Sequence, residues 1–543
     1  MNPVTTQKRH VRVWSLPLVC CALVLSACGN GEQAPSPETV LNRGTGDEPE
    51  SLDVHKSRST EAGDVQRDLG EGLTGYSPQG EIVAAAAERW EISPDGIEYT
   101  FELRPDARWS NGDLLTAADF VFSFRRLVDP ATAAFYIQSA GDIENAAAII
   151  GGEMPPAALG AEAVGPHLLK IRLGKPVPYF LGLLTHPSMF PVHRPSIEAH
   201  GRDYARPGNL VTNGAFRLVA WEVGSYIEIE RNQFYWNDRA TAVDRVRHHV
   251  TSEPIAELNR YRAAELHTTR TIPPESFAQM KAERSDEVRV SPALGVYYYG
   301  FNLTKPPFAG NRKLREALSM AVDRETLVEK ITGRGEPPAY GWVPDGTANY
   351  DPCRFSYADL SAAERTKKAQ QLYREAGFGP DNPLEVELRY NTSDTHQRIA
   401  LAVQSMWRDV LGVELTLINE EFQVLLENVE QKEITELFRL SWNGDYNDAH
   451  TFLSNLESDN PSNMTGYASD VFDSMMERAA GQRDPVFRKG FLEEAECIML
   501  DDHPLIPIYF FVNRSMVSPR VRGWGDNVLN YHYSRHLSLA ADE

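Results

Sequence analysis

Trp90-Glu91-Ile92-Ser93-Pro94-Asp95-Gly96-Ile97-Glu98-Tyr99-Thr100-Phe101-Glu102-Leu103-Arg104-Pro105-Asp106-Ala107-Arg108-Trp109-Ser110-Asn111-Gly112-Asp113-Leu114-Leu115-Thr116-Ala117-Ala118-Asp119-Phe120-Val121-Phe122-Ser123-Phe124 contains three local structures in succession. Asp95-Gly96 lies before Tyr99–Leu103, a run that alternates apolar and polar side chains, and this combination predicts a β-hairpin. Asn111-Gly112 marks a second turn. Leu115-Thr116-Ala117-Ala118-Asp119 then opens an amphipathic helix over Thr116–Leu127, a capping-box-like entry with Asp in place of Glu at the third position.

The same alternation continues along the chain. Strands are predicted at Leu168–Leu173, Tyr226–Arg231, Val296–Leu303, Leu384–Tyr390, Val413–Ile418 and Ile506–Val512, and helices at Asn311–Ile331, Ala362–Ala376, Thr395–Leu411 and Phe487–Leu500. Mixed elements without a tandem period argue for an α/β protein and against a solenoid. A chain of 543 residues exceeds what one core organises, so two or three domains are expected.

The chain carries 76 acidic and 54 basic residues, a formal charge of −22. That field repels polyanions, and no basic stripe interrupts it, so nucleic acid is not an expected partner. At the N-terminus Lys8, Arg9 and Arg12 precede an apolar run from Val13 to Ala27, shorter than the roughly 20 residues that span a bilayer. Leu25-Ser26-Ala27-Cys28 closes the run and resembles a bacterial lipoprotein signal, in which Cys28 is acylated and residues 1–27 are removed. An ordinary signal peptide with an incidental cysteine is the alternative. Residues 28–44 are expected to form a flexible tether, from the Gly, Pro, Ser and acidic residues that begin it. Beyond the signal only Cys353 and Cys497 remain, and their spacing does not decide whether they pair.

Enzyme motifs are missing. Gly174-Lys175 is followed by Pro176 and makes no phosphate loop; His248-His249 are adjacent and belong to no H-E-x-x-H; there is no G-x-S-x-G and no C-x-x-C. The many acids single out no carboxylate pair. Neither a metal nor a cofactor is called for.

Trp109-Ser110-Asn111-Gly112, Thr116-Ala117 and Asp119-Phe120-Val121 with Ser123-Phe124 follow W-S-[ND]-G-x-x-x-T-A-x-D-F-V-x-S-[FW], the signature of the extracytoplasmic solute-binding family for peptides and nickel. Ser51-Leu52-Asp53 with His55-Lys56, Arg67-Asp68-Leu69, Pro176-Val177-Pro178-Tyr179-Phe180, Asn209–Ala215, Asn259-Arg260-Tyr261-Arg262, Pro338–Gly341, Asn391–His396 and Gly444-Asp445-Tyr446-Asn447 narrow the match. In register from about residue 45 to the C-terminus, the chain resembles the bacterial periplasmic oligopeptide-binding proteins of ABC importers. The resemblance implies a three-domain periplasmic-binding-protein-like fold: lobe I from 45–70, 196–295 and 513–543, an additional domain from 71–195, and lobe II from 296–512. It further implies two lobes hinged over an extended peptide, a monomer, delivery to a permease, and membrane attachment through Cys28.

Residue by residue, the resemblance implies that Asp445, after Trp442, Asn443 and Gly444, receives the peptide's α-ammonium, because a dry ammonium needs a carboxylate. Arg439 and His396 match positions near the peptide's C-terminal end. Ser57, Arg58, Ser59 and Thr60 match a loop that pairs with the peptide backbone, and Tyr136, Tyr261, Phe422 and Trp442 match pocket-lining positions. Three departures touch specificity. Gly295 and Asn443 stand where enteric members carry a cysteine pair, Thr332 stands where a lysine reaches the ligand, with Arg334 nearby, and Arg58 replaces an acid. A narrower ligand (murein peptide, dipeptide, metal chelate or haem), a peptidase and an envelope chaperone are the competing readings.

Overall fold

The structure, a computed structural model, describes residues 38–541. The expected signal segment, Cys28 and the first part of the tether lie outside the described residues. Among the described residues no helix is long and apolar enough to cross a membrane.

In chain order, the strands of the three larger sheets are β1 (Val40–Gly46), β2 (Ala87–Ile92), β3 (Glu98–Leu103), β4 (Ala161–Gly165), β5 (Leu168–Arg172), β6 (Phe216–Glu222) and β7 (Tyr226–Arg231). They continue as β8 (Arg245–Val250), β9 (Val288–Phe301), β10 (Glu385–Asn391), β11 (Glu414–Glu420), β12 (Leu437–Asn443) and β13 (Leu505–Met516). The helices that bear on the site are α1 (Thr60–Leu69), α2 (Ala117–Val128), α3 (Pro254–Arg262), α4 (Arg312–Met320), α5 (Asp394–Leu411), α6 (Phe422–Gln431) and α7 (Pro485–Asp502).

One four-stranded sheet has the order β1-β8-β7-β6, and Leu41, Phe216, Ile227, Ile229 and Val246 pack from it against Val65 and Leu69 of α1. A second has the order β2-β3-β5-β4 and buries Tyr99, Phe101, Leu169 and Ile171 against Phe120 and Phe124 of α2. The third is five-stranded, β11-β10-β12-β9-β13, and builds a core that includes Tyr297, Tyr299, Leu388 and Trp407. Alternation along β3 buries Tyr99, Phe101 and Leu103, so a period of two sets this face of the sheet. The expected hairpin is β2 with β3, Trp90 opposite Phe101, and Gly96 takes φ +73° in its turn. At the start of α2 the Asp119 carboxylate accepts from the backbone N–H (2.8 Å) and hydroxyl (2.9 Å) of Thr116, as the capping pattern predicts.

Two expectations need correction. Residues 40–44, expected in the tether, belong to β1, which pairs in parallel with β8. Its polar sequence hides the strand because Arg43 is buried only through partners distant in sequence: its guanidinium donates to the His532 carbonyl and the Ser534 hydroxyl (2.8 Å each) and pairs with Asp68. The helix expected over Asn311–Ile331 stops at Met320. Asp323 accepts from the Thr326 N–H (3.0 Å) and starts a new turn, while the fully buried Arg324 donates to the Ser319 and Val322 carbonyls (3.0 and 3.4 Å) left open at the end of α4.

Cys353 and Cys497 are joined in a disulfide, with Cα atoms 5.4 Å apart. β9 and β13 pair along most of their length, from Val288 opposite Met516, in a small core with Leu258 and Met280, to Gly300 opposite Leu505 in the five-stranded sheet. Their ladder shifts register twice, across a wider interruption between Pro292 and Val296 and again between Tyr297 and Tyr298. Gly295, in that interruption, lies directly opposite Asn443 of β12.

Candidate functional site

Asp445 follows the end of β12, and its loop is fastened at several points. The Gly444 N–H donates to the Leu294 carbonyl (2.8 Å) inside the ladder interruption, and the Asp445 N–H donates to the Thr451 hydroxyl (3.2 Å). Asn447 Oδ1 accepts from the Ala348 N–H (2.9 Å), and Asp448 receives both arms of Arg488 from α7 (2.7 and 2.8 Å). With the backbone so held, the Asp445 carboxylate faces a cavity of about 220 Å³ that it shares with Tyr136, Tyr179, His186, Tyr446 and Tyr531. Asp445 is itself exposed, and partial desolvation at the cavity wall raises its pKa, opposed by Thr451; no basic side chain among the described residues pairs with it. Tyr179 and Tyr446 stack with centroids 4.3 Å apart. Burial holds His186 neutral, pushed down to about 3.

The expected loop contributes through its backbone. The Glu50 carboxylate accepts from the N–H groups of Arg58 and Ser59 (3.0 Å for the latter) and from the Ser59 hydroxyl (2.5 Å), and Tyr136 donates its hydroxyl to the Arg58 carbonyl (3.0 Å). Ser57 accepts from Gln66 (2.8 Å), Ser59 caps α1, and Thr60 accepts from Arg270 (2.7 Å). Beneath the loop, Asp53 and Arg126 form a bidentate pair (2.7 and 3.0 Å), and Arg126 lies 2.6 Å from Nδ1 of the buried His55. The Ser51–Lys56 motif is therefore a scaffold that fixes the loop's path. Both polar backbone groups of Arg58 are engaged in this arrangement.

Arg439 and His396 do come together. Arg439 extends from β12, donates to Asn391 Oδ1 (3.0 Å) and lies 4.4 Å from the centroid of the Tyr297 ring, while the Tyr297 hydroxyl lies 3.3 Å from His396 Nδ1. The Arg439 Nε–H is buried without a partner, and no carboxylate among the described residues pairs with the guanidinium. A buried cation in this state is incomplete without an anion. Burial first, and the Arg439 charge second, push His396 down to about 4, so it is neutral at pH 7 and Arg439 carries the positive charge here. Arg334 reaches the neighbouring Thr395 (3.0 Å), whereas Thr332 is turned to Glu336 (3.1 Å).

Trp442 and Phe422 line a separate pocket of about 150 Å³ with Tyr298, Trp342, Leu426 and Met464; the Trp442 Nε1–H is buried and unpaired, and Phe422 is 43% exposed. Asn443 is exposed beside Gly295. Tyr261 joins none of these groups: it is 4% exposed in the core built on α3, and its hydroxyl donates to Glu287 (2.5 Å). The reading of the sequence missed Tyr297, Asn391, Asp142 and the aromatic role of Tyr179 and Tyr446. Asn391, Tyr179 and Tyr446 carried a signal, lying inside the Asn391–His396, Pro176–Phe180 and Gly444–Asn447 motifs, whereas Tyr297 and Asp142 did not.

Residues 81–464 match the family model for bacterial extracellular solute-binding proteins, family 5. The chain is 38% identical to the periplasmic oligopeptide-binding protein OppA of Escherichia coli (strain K12), over 92% of each chain. It superposes with a TM-score of 0.88 on the unliganded open form of the periplasmic murein tripeptide-binding protein MppA, at 36% identity over 93% of this chain and 98% of that one. On OppA of Haemophilus influenzae in complex with RPPGFSPFR the TM-score is 0.70, at 35% identity over 93% and 99%. Identity and coverage are nearly equal for these two structures, and the higher TM-score is the one with the open form. The chain belongs to the bacterial extracellular solute-binding proteins of family 5, and it is accordingly a binding component of transport with a periplasmic-binding-protein-like α/β fold, not an enzyme.

Proposed function

We propose that this chain is a periplasmic receptor, lipid-anchored at Cys28, that binds short free peptides between two lobes and hands them as a monomer to an ABC permease. The observation that carries the reading is the pair of uncompensated charges at the two ends of one segment: the Asp445 carboxylate and the Arg439 guanidinium. They are six positions apart, at most about 22 Å of extended chain. A peptide of a few residues spans that distance with its ammonium on the Asp445 carboxylate at the cavity wall and its carboxylate on Arg439, where it completes a buried guanidinium that is otherwise costly to hold. The lobe and domain boundaries implied by the sequence resemblance belong to the same proposal, with β9 and β13 as the connections that flex. Ligand arrival would exchange the Glu50 and Tyr136 bonds at Arg58 for strand-like pairing with the peptide.

Asp445→Ala is expected to weaken peptide binding by more than about 2 kcal/mol in calorimetric titration. Acetylating the peptide's amine is expected to do similar damage to the wild type, and undiminished binding of acetylated peptides would refute the assignment. The raised pKa of Asp445 sets the direction of the pH effect: the ligand needs the ionised carboxylate, so affinity falls on acidification and starts to fall at a higher pH than for an ordinary aspartate. Native mass spectrometry of protein from its own host separates mixed oligopeptides from a single murein peptide by the masses that co-purify.

A further inference from the structure

The cavity that receives Asp445 contains a second carboxylate, Asp142. Its backbone is rigidly placed, since its carbonyl accepts from the Gly174 N–H (2.9 Å) and the next residue, Ile143, bridges to Leu173. The Asp142 side chain is half-buried, and burial raises its pKa, opposed by Lys175. The basic group nearest to it is Lys175, at 3.9 Å, too long for a hydrogen bond, on a side chain 72% exposed to solvent. No lysine or arginine lines the cavity, and its one histidine, His186, is neutral. The stacked pair Tyr179 and Tyr446 adds ring faces that attract cations. Neither carboxylate's shift is caused by the other, so the two act as separate acceptors within one cavity.

We propose that Asp142 is a specificity-determining residue that receives a second positive charge, the side-chain ammonium of a lysine-like first residue, so that the preferred ligands are peptides with an α,ω-diamine head group. The proposal rests on the reading of Asp445 as the acceptor of the α-ammonium. A lysine in the first position carries its two ammonium groups on one flexible chain, and the cavity offers each a carboxylate, with apolar ring surface for the methylenes between them.

The test is calorimetric titration of the mature chain with Lys-Ala-Ala and with its uncharged near-isostere norleucine-Ala-Ala. The wild type is expected to bind the lysine peptide about tenfold or more tightly. Asp142→Asn is expected to abolish the difference while leaving the norleucine peptide within about twofold of its wild-type affinity. Asp142→Glu should keep the preference. Lys175→Met, at an exposed site, should leave the preference intact or enlarge it. Equal binding of the two peptides by the wild type, or a preference that survives in Asp142→Asn, overturns the proposal, as does an equal loss for both peptides. Nα-acetylated norleucine-Ala-Ala reports separately on Asp445. If acetylation abolishes binding while the lysine and norleucine peptides bind alike, only the role of Asp142 fails; if acetylation changes nothing, the reading of Asp445 fails with it.

Discussion

Arg439 and Asp445 differ in how much of their role a sequence can carry. Asp445 lies within a motif that the sequence displays, although the cavity it faces is completed by Tyr136, Asp142, Tyr179 and Tyr531 from distant parts of the chain. Arg439 is one arginine in a strand, and its function depends on Tyr297, Asn391 and His396, which come from β9 and from either side of the start of α5. Tyr261 illustrates the opposite failure: a correct match to a motif led to a core position, because an aromatic ring fills a small core as readily as it lines a pocket. If Arg439 carries the positive end of the site, Arg439→Gln should lower affinity for a free tripeptide by about tenfold or more, and by much less for the same peptide amidated at its C-terminus. Titration of both peptides against both proteins gives the coupling directly. An equal loss for free and amidated peptides would mean that Arg439 only supports the strand.

At the scale of elements, helix α7 does more than cover the five-stranded sheet. Arg488 near its start holds Asp448, and Glu496 near its end holds the segment from Trp342 to Cys353, which in turn holds Asn447 through Ala348. Glu496 is fully buried and accepts from the N–H groups of Trp342 and Val343 (2.8 Å each) and Cys353 (2.9 Å) and from the Tyr350 hydroxyl (2.7 Å). Burial pushes it up to about 7 against the pull of those four donors. The disulfide to Cys353 leaves from the adjacent residue, so one covalent and four hydrogen-bonded links act at the same place. Glu496→Gln puts an N–H₂ where a carboxylate oxygen accepts two bonds, and is expected to cost about 1–3 kcal/mol of stability in denaturant unfolding. Removing the disulfide, whose cysteines are 144 positions apart, should cost up to about 5 kcal/mol in the chain-entropy model. Unchanged unfolding midpoints in both variants would show that this brace carries no weight. The helices and strands themselves were mostly legible, since period and caps are local properties. The break after Met320 was not, because the amphipathic pattern runs on through it, and the buried Arg324 that catches the open carbonyls can be recognised only once Pro507 lies against it (2.8 Å). β1 stayed hidden for the same reason, with Arg43 reading as tether until Asp68 and Ser534 surround it.

At the scale of the whole molecule, three sheets have separate cores, and two paired strands run from the small core around Leu258 into the five-stranded sheet. Which strands share a sheet was not legible in the sequence, since no local property decides it. Saturating the open arrangement with peptide should reduce the radius of gyration measured by small-angle scattering, and a radius that does not change would count against two lobes that close. Gly295→Ala should blunt that compaction, because a Cβ there would lie 2.4 Å from the Phe511 ring and 2.6 Å from Asn443 Oδ1. The bond from Gly444 to the Leu294 carbonyl has a mechanical consequence. It places the seat for the ligand's amino terminus almost at the fulcrum, one residue from where the β9–β13 ribbon can bend. A load applied so close to the fulcrum turns a sub-ångström tug into a wide sweep at the distant rim. On the proposed reading, peptides that share a first residue but differ in length should therefore produce the same compaction, each at its own saturating concentration.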